Sequence, residues 1–158
     1  MTTVLAPVDG AVVPLSAVPD PVFSQAMVGP GAAIDPPRRP GRALAPIAGR
    51  LVKLHPHAYV VVGGDGRGVL VHLGIDTVQL KGAGFELLAT EGEMVRAGQP
   101  VVAWDPGMVE AGGRSPLCPV VALDATSGAV GPVAEGEVRA GDELFQWTET
   151  GPDRSRDV

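Results

Sequence analysis

Apolar positions along this chain come in short runs between glycine and proline punctuation, and helical spacing is scarce. Runs rich in Val, Leu and Ala recur at 10–15, 49–54, 59–62, 69–73, 100–104, 119–123 and 143–147. Their length, their β-branched content and the turn residues that bound them predict strands. Gly63-Gly64-Asp65-Gly66 is hairpin-turn material, because glycine and aspartate tolerate positive φ. Helix signals are few and short. Asp20 stands before Pro21 and Asp105 before Pro106, in each case an N-cap carboxylate followed by proline at the first helical position. The pattern predicts an all-β, antiparallel domain with a few short helices.

Two internal repeats refine that prediction. Ala6-Pro7-Val8-Asp9-Gly10 and its following apolar run match Ala45-Pro46-Ile47-Ala48-Gly49 and its run. Glu91-Gly92-Glu93-Met94-Val95-Arg96-Ala97-Gly98 is echoed, one residue shorter, by Glu135-Gly136-Glu137-Val138-Arg139-Ala140-Gly141. An Ala-Pro-x-x-Gly strand start and a Gly-flanked hairpin are the marks of hybrid β folds of the lipoyl and biotinyl type. Each mark occurs twice, which predicts a duplicated hybrid motif: two related β-halves packed as one antiparallel sandwich or barrel. The domain is placed at 1–148. Residues 31–44 read as an extended surface connection between the repeats, and 149–158 as a frayed, disordered tail.

Glycine and proline supply 22 and 16 of the 158 residues, against a usual ~12% for the pair. Such an excess points to disorder or to many short segments. The hydrophobic fraction of 45% decides for the latter. One cysteine, Cys118, allows neither an intramolecular disulfide nor a thiolate zinc cluster, and fits a reducing compartment. The N-terminus lacks the basic and apolar regions of a secretory signal, and no apolar run approaches the ~20 residues that cross a bilayer. A cytoplasmic protein without direct membrane insertion is expected. The formal charge of −6 comes with no basic cluster larger than Arg38-Arg39 plus Arg42, so nucleic acid is not an expected partner.

The chemistry concentrates in the three histidines, His55, His57 and His72, all within 18 residues. Two uses suit such a group. Three neutral imidazoles can bind zinc and leave a fourth position for water. Alternatively, one imidazole nitrogen carries a phosphoryl group while a second imidazole and nearby N–H groups hold its oxygens. Zinc catalysis usually wants a carboxylate at a signature spacing, and nothing like His-Glu-x-x-His is present. Phosphoryl transfer is mostly positioning and charge stabilisation. Neither spacing decides alone. A lipoyl- or biotin-type carrier is a further option, but Lys53 and Lys81 sit in no hairpin of the Met-Lys kind.

The block Val71-His72-Leu73-Gly74-Ile75-Asp76-Thr77-Val78-Gln79-Leu80-Lys81-Gly82-Ala83-Gly84-Phe85-Glu86 closely resembles the signature of the glucose-family enzyme IIA of the bacterial phosphoenolpyruvate:sugar phosphotransferase system. The likeness extends over about residues 4–147, through Ala6-Pro7-Val8-Asp9-Gly10, Val18-Pro19-Asp20-Pro21-Val22-Phe23, Met27-Val28-Gly29-Pro30-Gly31, His57-Ala58 and 92–105. The resemblance implies a stand-alone phosphocarrier of the duplicated sandwich fold. His72 matches the histidine that accepts phosphate on Nε2 from phospho-HPr and passes it to a cysteine of a permease IIB domain. His57 matches the histidine that hydrogen-bonds the phosphoryl group, and Gly74 supplies the backbone carbonyl that orients His72.

Docking would use an apolar rim of Val22, Phe23, Met27, Val28, Leu70 and Val78, with Asp20 and Asp76 offering carboxylates to partner arginines. Asp20 suits helix capping equally well. The resemblance requires no cofactor, although His57 and His72 could bridge zinc to a partner carboxylate. It extends to regulatory protein targets in parts of the family. The competing function is a zinc-dependent enzyme of a related hybrid β fold. His55 is a departure: some members carry threonine at that offset. A role beside the phosphate, an orienting role and plain exposure all suit it.

Overall fold

The computed structural model describes residues 2–148; the tail expected at 149–158 lies outside the described residues. In chain order the strands are β1 (Thr2–Leu5), β2 (Gly10–Pro14), β3 (Gly31–Asp35), β4 (Gly41–Leu44), β5 (Gly49–His55), β6 (Ala58–Val62) and β7 (Gly68–His72). There follow β8 (Phe85–Leu87), β9 (Met94–Val95), β10 (Pro100–Trp104), β11 (Cys118–Ala122), β12 (Val130–Val133), β13 (Glu137–Val138) and β14 (Glu143–Trp147). Two short helices, α1 (Pro21–Ser24) and α2 (Pro106–Ala111), start where the Asp-Pro pairs predict. Asp20 Oδ1 accepts from the Val22 N–H at 2.9 Å, and Asp105 Oδ1 accepts from the Gly107 N–H at 2.9 Å. Each carboxylate thereby satisfies an otherwise unpaired donor of the first helical turn. Among the described residues no helix is long and apolar enough to cross a membrane.

The strands form an open antiparallel sandwich. One sheet has eight strands in the order β13-β2-β3-β11-β7-β6-β5-β9, and two smaller sheets run β1-β14-β12 and β4-β10-β8. The large sheet ends at β13 and β9 and does not close into a barrel. Read from its other end, it exchanges β13 with β9, β2 with β5, β3 with β6 and β11 with β7. The same exchange carries β1-β14-β12 onto β4-β10-β8. The duplication expected from the repeats is therefore a pseudo-twofold of the whole fold, and the axis passes through the Val71–Val120 pair at the sheet centre.

Backbone hydrogen bonds repeat the symmetry. The Leu5 N–H donates to the Pro46 carbonyl and the Leu44 N–H to the Pro7 carbonyl, each at 2.9 Å. The Gly141 N–H donates to the Ala6 carbonyl and the Gly98 N–H to the Ala45 carbonyl, each at 2.8 Å. In both copies the Ala-Pro corner is thus held by the hairpin repeat of its own half and by the corner of the other.

The core lies between the large sheet and the two small ones, with Leu51, Tyr59, Val71, Val120, Trp104, Leu144 and Phe145 among its buried members. A second apolar cluster, built on Leu15, Val18, Phe23, Ala33, Ile75 and Val121, covers the outer face of the central strands. The reading of 31–44 as a surface connection is corrected here. β3 runs between β2 and β11, with Ala32 and Ile34 in the main core and Ala33 in the outer cluster. Coverage on both faces and a close approach to β11 favour small residues. Such residues carry little β-propensity, so the strand left no period-2 signal. Residues 41–44 form β4, whose Ala43 is buried.

Gly10 and Gly49 occupy equivalent positions where another strand crosses closely. A Cβ would lie 2.2 Å from the Asp35 carbonyl oxygen at Gly10, and 2.2 Å from that of Val62 at Gly49. Gly10→Ala and Gly49→Ala should each destabilise the fold, by about 2–4 kcal/mol. Urea unfolding checks this, and the symmetry predicts similar midpoint shifts at the two sites.

Candidate functional site

Strand parity sets which way the site faces. Val69 and Val71 of β7 point into the main core, so Leu70 and His72 point to the outer face. His72 ends β7, and its backbone pairs with Ala58 at the start of β6. His57 sits in the two-residue turn, Pro56-His57, between β5 and β6. The Leu73 N–H donates to the His57 carbonyl at 2.7 Å, which ties that turn to the residue after His72. The His57 and His72 ring centroids are 5.4 Å apart with planes at 67°.

His72 is held at a defined tautomer. Its Nδ1 lies 2.5 Å from the Gly74 carbonyl oxygen. A carbonyl cannot donate, so Nδ1 carries the proton and Nε2 keeps its lone pair. Gly74 has φ +84, and a Cβ there would lie 2.5 Å from Thr77 Cγ2 and 2.9 Å from the Ser115 carbonyl oxygen. Only glycine fits that turn without displacing its neighbours. Two further bonds fix the loop. The Thr77 hydroxyl donates to the Leu73 carbonyl at 2.8 Å, and the Ile75 N–H donates to the Ser115 carbonyl at 2.8 Å. Thr77 is buried and was not singled out from the sequence. Its only sequence signal is a hydroxyl placed to bond back to the carbonyl four residues earlier.

The other residues expected here divide by burial. Phe23 is buried, with its ring centroid 5.2 Å from that of His72, so it forms a wall of the site; the open-rim placement is corrected. Its apolar bulk is what α1 contributes to the outer cluster. Val22, Met27 and Val78 are 40%, 66% and 60% exposed, whereas Val28 and Leu70 are half-buried against the outer cluster. Asp20 is engaged in capping α1. Asp76 is exposed, in the left-handed region at φ 59, and makes no cap bond. His55 is exposed, and its ring stacks on His57 at 5.6 Å with planes 20° apart.

Electrostatically, burial dominates at His72 and lowers its pKa below the ordinary imidazole value; the Gly74 carbonyl, Asp20 and Asp76 oppose this with smaller effects. His57 is lowered by burial first, then by His72 and His55. Burial thus favours the neutral form of both rings. Among the described residues no group of three or more His, Cys, Asp or Glu side chains could hold a metal ion. A zinc ion would find two imidazoles here and would need its remaining ligands from elsewhere. What the arrangement offers is a neutral, pre-oriented nitrogen nucleophile beside a second imidazole.

The profile of the phosphoenolpyruvate-dependent sugar phosphotransferase system, EIIA 1, matches residues 2–127. The chain belongs to this family. It is 36% identical over 121 residues to the glucose-specific EIIA component of Oceanobacillus iheyensis, an alignment covering 75% of this chain and 72% of that one. To the same component of Halalkalibacterium halodurans it is 40% identical over 120 residues, covering 75% and 68%. The glucose permease IIA of Mycoplasma capricolum superposes with a TM-score of 0.84 at 36% identity, covering 90% of this chain and 93% of that one. The EIIA protein is thus a phosphocarrier of sugar phosphotransfer, and the zinc-dependent enzyme weighed from the sequence finds no support in this family.

The lowered histidine pKa values set a pH dependence. The unfolded chain takes up protons at these two sites as pH falls through about 6.5, before the folded protein does. The contribution of neutral His57 and His72 to stability is therefore complete above that value and is lost progressively below it. Proton NMR of the imidazole Cε1–H signals should show both midpoints below 6.5; midpoints at or above it would contradict the desolvation account.

Proposed function

We propose that His72 Nε2 accepts a phosphoryl group from phospho-HPr and passes it to a cysteine of a sugar-permease IIB domain, in the cytoplasm. The observation that carries this reading is the Nδ1–H bond from His72 to the Gly74 carbonyl, which leaves Nε2 as the free nucleophile. In the accepting step the Nε2 lone pair forms the new N–P bond while the donor's N–P bond breaks, its electron pair returning to the donor histidine. The His72 ring then carries positive charge, which the Gly74 carbonyl stabilises. In the second step a cysteine thiolate attacks phosphorus and the pair returns to Nε2. Throughout, His57 is 5.4 Å away, centroid to centroid, and donates a hydrogen bond to a phosphoryl oxygen. Exposed Val22, Met27 and Val78 form the apolar contact for both partners, with Asp76 pairing their arginines.

With phosphoenolpyruvate, enzyme I and HPr, the protein should take up one acid-labile phosphate, and His72→Ala should abolish it. Full labelling of that variant would sink the assignment. His57→Ala should fold normally and slow both half-reactions by roughly a hundredfold. Stopped-flow or rapid-quench rates equal to those of the parent would reduce His57 to a structural residue.

A further inference from the structure

The two site histidines are anchored very differently. His72 is pinned by its bond to Gly74 and by the buried Phe23 ring at 5.2 Å. No described residue makes a hydrogen bond with either ring nitrogen of His57, which leaves its single N–H free to donate to a phosphoryl oxygen but leaves nothing polar to fix the ring. The ring neighbours of His57 are aromatic: His72 in an edge arrangement at 5.4 Å and His55 in a stacked one at 5.6 Å. At 5.6 Å and 20°, the His55–His57 pair has the geometry of an offset stack.

The backbone is built to hold that stack. His55 ends β5 opposite Ala58, the strand partner of His72, so the three histidines lie across the ends of three adjacent strands. Pro56 between them fixes its own φ and keeps His55 extended. The Pro56 ring also lies against the 81–84 loop, where a Cβ on Gly82 would come within 3.7 Å of Pro56 Cγ. Two ring directions are thus set by one rigid turn, and an exposed side chain with no hydrogen bond of its own is placed flat against a catalytic one.

We propose that His55 is a positioning residue: its ring is the platform that holds the His57 imidazole edge-on to His72, so that the His57 N–H is aimed at the phosphoryl group before transfer begins. The role is that of a flat aromatic surface, and it acts only through His57. This rests on the phosphocarrier reading for its kinetic consequence, and on the ring geometry alone for its structural one.

Loss of the platform should slow phosphoryl transfer about three- to tenfold, the size expected of one aromatic pair. The experiment compares His55→Ala, His55→Phe, His57→Ala and the double variant His55→Ala/His57→Ala in the rate of phosphate uptake from phospho-HPr. His55→Ala should be slowed in the rate at saturating phospho-HPr with little change in the half-saturating concentration. His55→Phe should recover the parent rate, and the double variant should be no slower than His57→Ala. Proton NMR of the unphosphorylated protein gives a second readout: nuclear Overhauser contacts between the His57 and His72 rings should weaken in His55→Ala and return in His55→Phe. Equal rates in His55→Ala and the parent, absence of rescue by Phe, additive losses in the double variant, or unchanged ring contacts would each overturn the proposal. A parent protein that takes up no phosphate at all would instead refute the carrier reading, with the ring contacts still deciding the role of His55.

Discussion

Beside the central β7–β11 ladder, two backbone hydrogen bonds, from Leu5 to Pro46 and from Leu44 to Pro7, lock the halves of this protein together. Each Ala-Pro corner offers one donor and one acceptor, and each half satisfies the other's. Neither half could bury its apolar face alone, because the small sheet of one half and the shared eight-stranded sheet close the core together. The duplicated glycines at positions 10 and 49, the Gly-flanked hairpins and the central Val71–Val120 pair all follow from keeping that exchange in register on both sides of one axis.

The chemistry breaks the symmetry. The axis that relates Val71 to Val120 relates His72 to Val121, and His57 to Pro30. The bond from the Leu73 N–H to the His57 carbonyl has its counterpart in the bond from the Ala122 N–H to the Pro30 carbonyl, at 2.7 and 2.8 Å. The backbone of the site therefore exists twice, and the histidines were placed in one copy. The connections differ as well. Between β5 and β6 the chain turns in two residues, which leaves the outer face open at His72. Between β2 and β3 it makes a long excursion through Leu15, α1 and Met27, and this excursion covers the equivalent Val121 while sending Phe23 across to His72. One half supplies the reactive groups, and the loop of the other supplies their wall.

This division explains what the sequence disclosed. Strands with β-branched runs, such as β5 to β7 and β10, were legible because their composition follows from facing a core on one or both sides. β3 was not, since the tight approach of β11 selects glycine and alanine, and a Gly-Ala-Ala-Ile run followed by two prolines looks like a connector. The histidines stood out by clustering, and the motif around them carried their assigned roles. Phe23 was misplaced because an apolar residue beside a helix cap reads the same whether it faces a partner or folds under its own histidine. Thr77 carries only a weak mark, because a hydroxyl four residues after a carbonyl is too common a spacing to point to a site.

The electrostatic balance at His72 bears on what a carrier must do. Burial outweighs the carbonyl and carboxylates that favour a charged ring, so the resting imidazole is neutral and its Nε2 pair is available. Once an N–P bond forms, the ring bears positive charge and the same carbonyl and carboxylates stabilise it. They act oppositely on the phosphoryl group, whose own negative charge is repelled by Asp20 and Asp76. Positive charge on the site itself would hold phosphate more firmly and turn the carrier into a sink. On the proposed carrier role, acidic residues at the rim and uncharged imidazoles within keep the phosphorylated form high in free energy, and the cations that stabilise the transfer are those a docking partner brings.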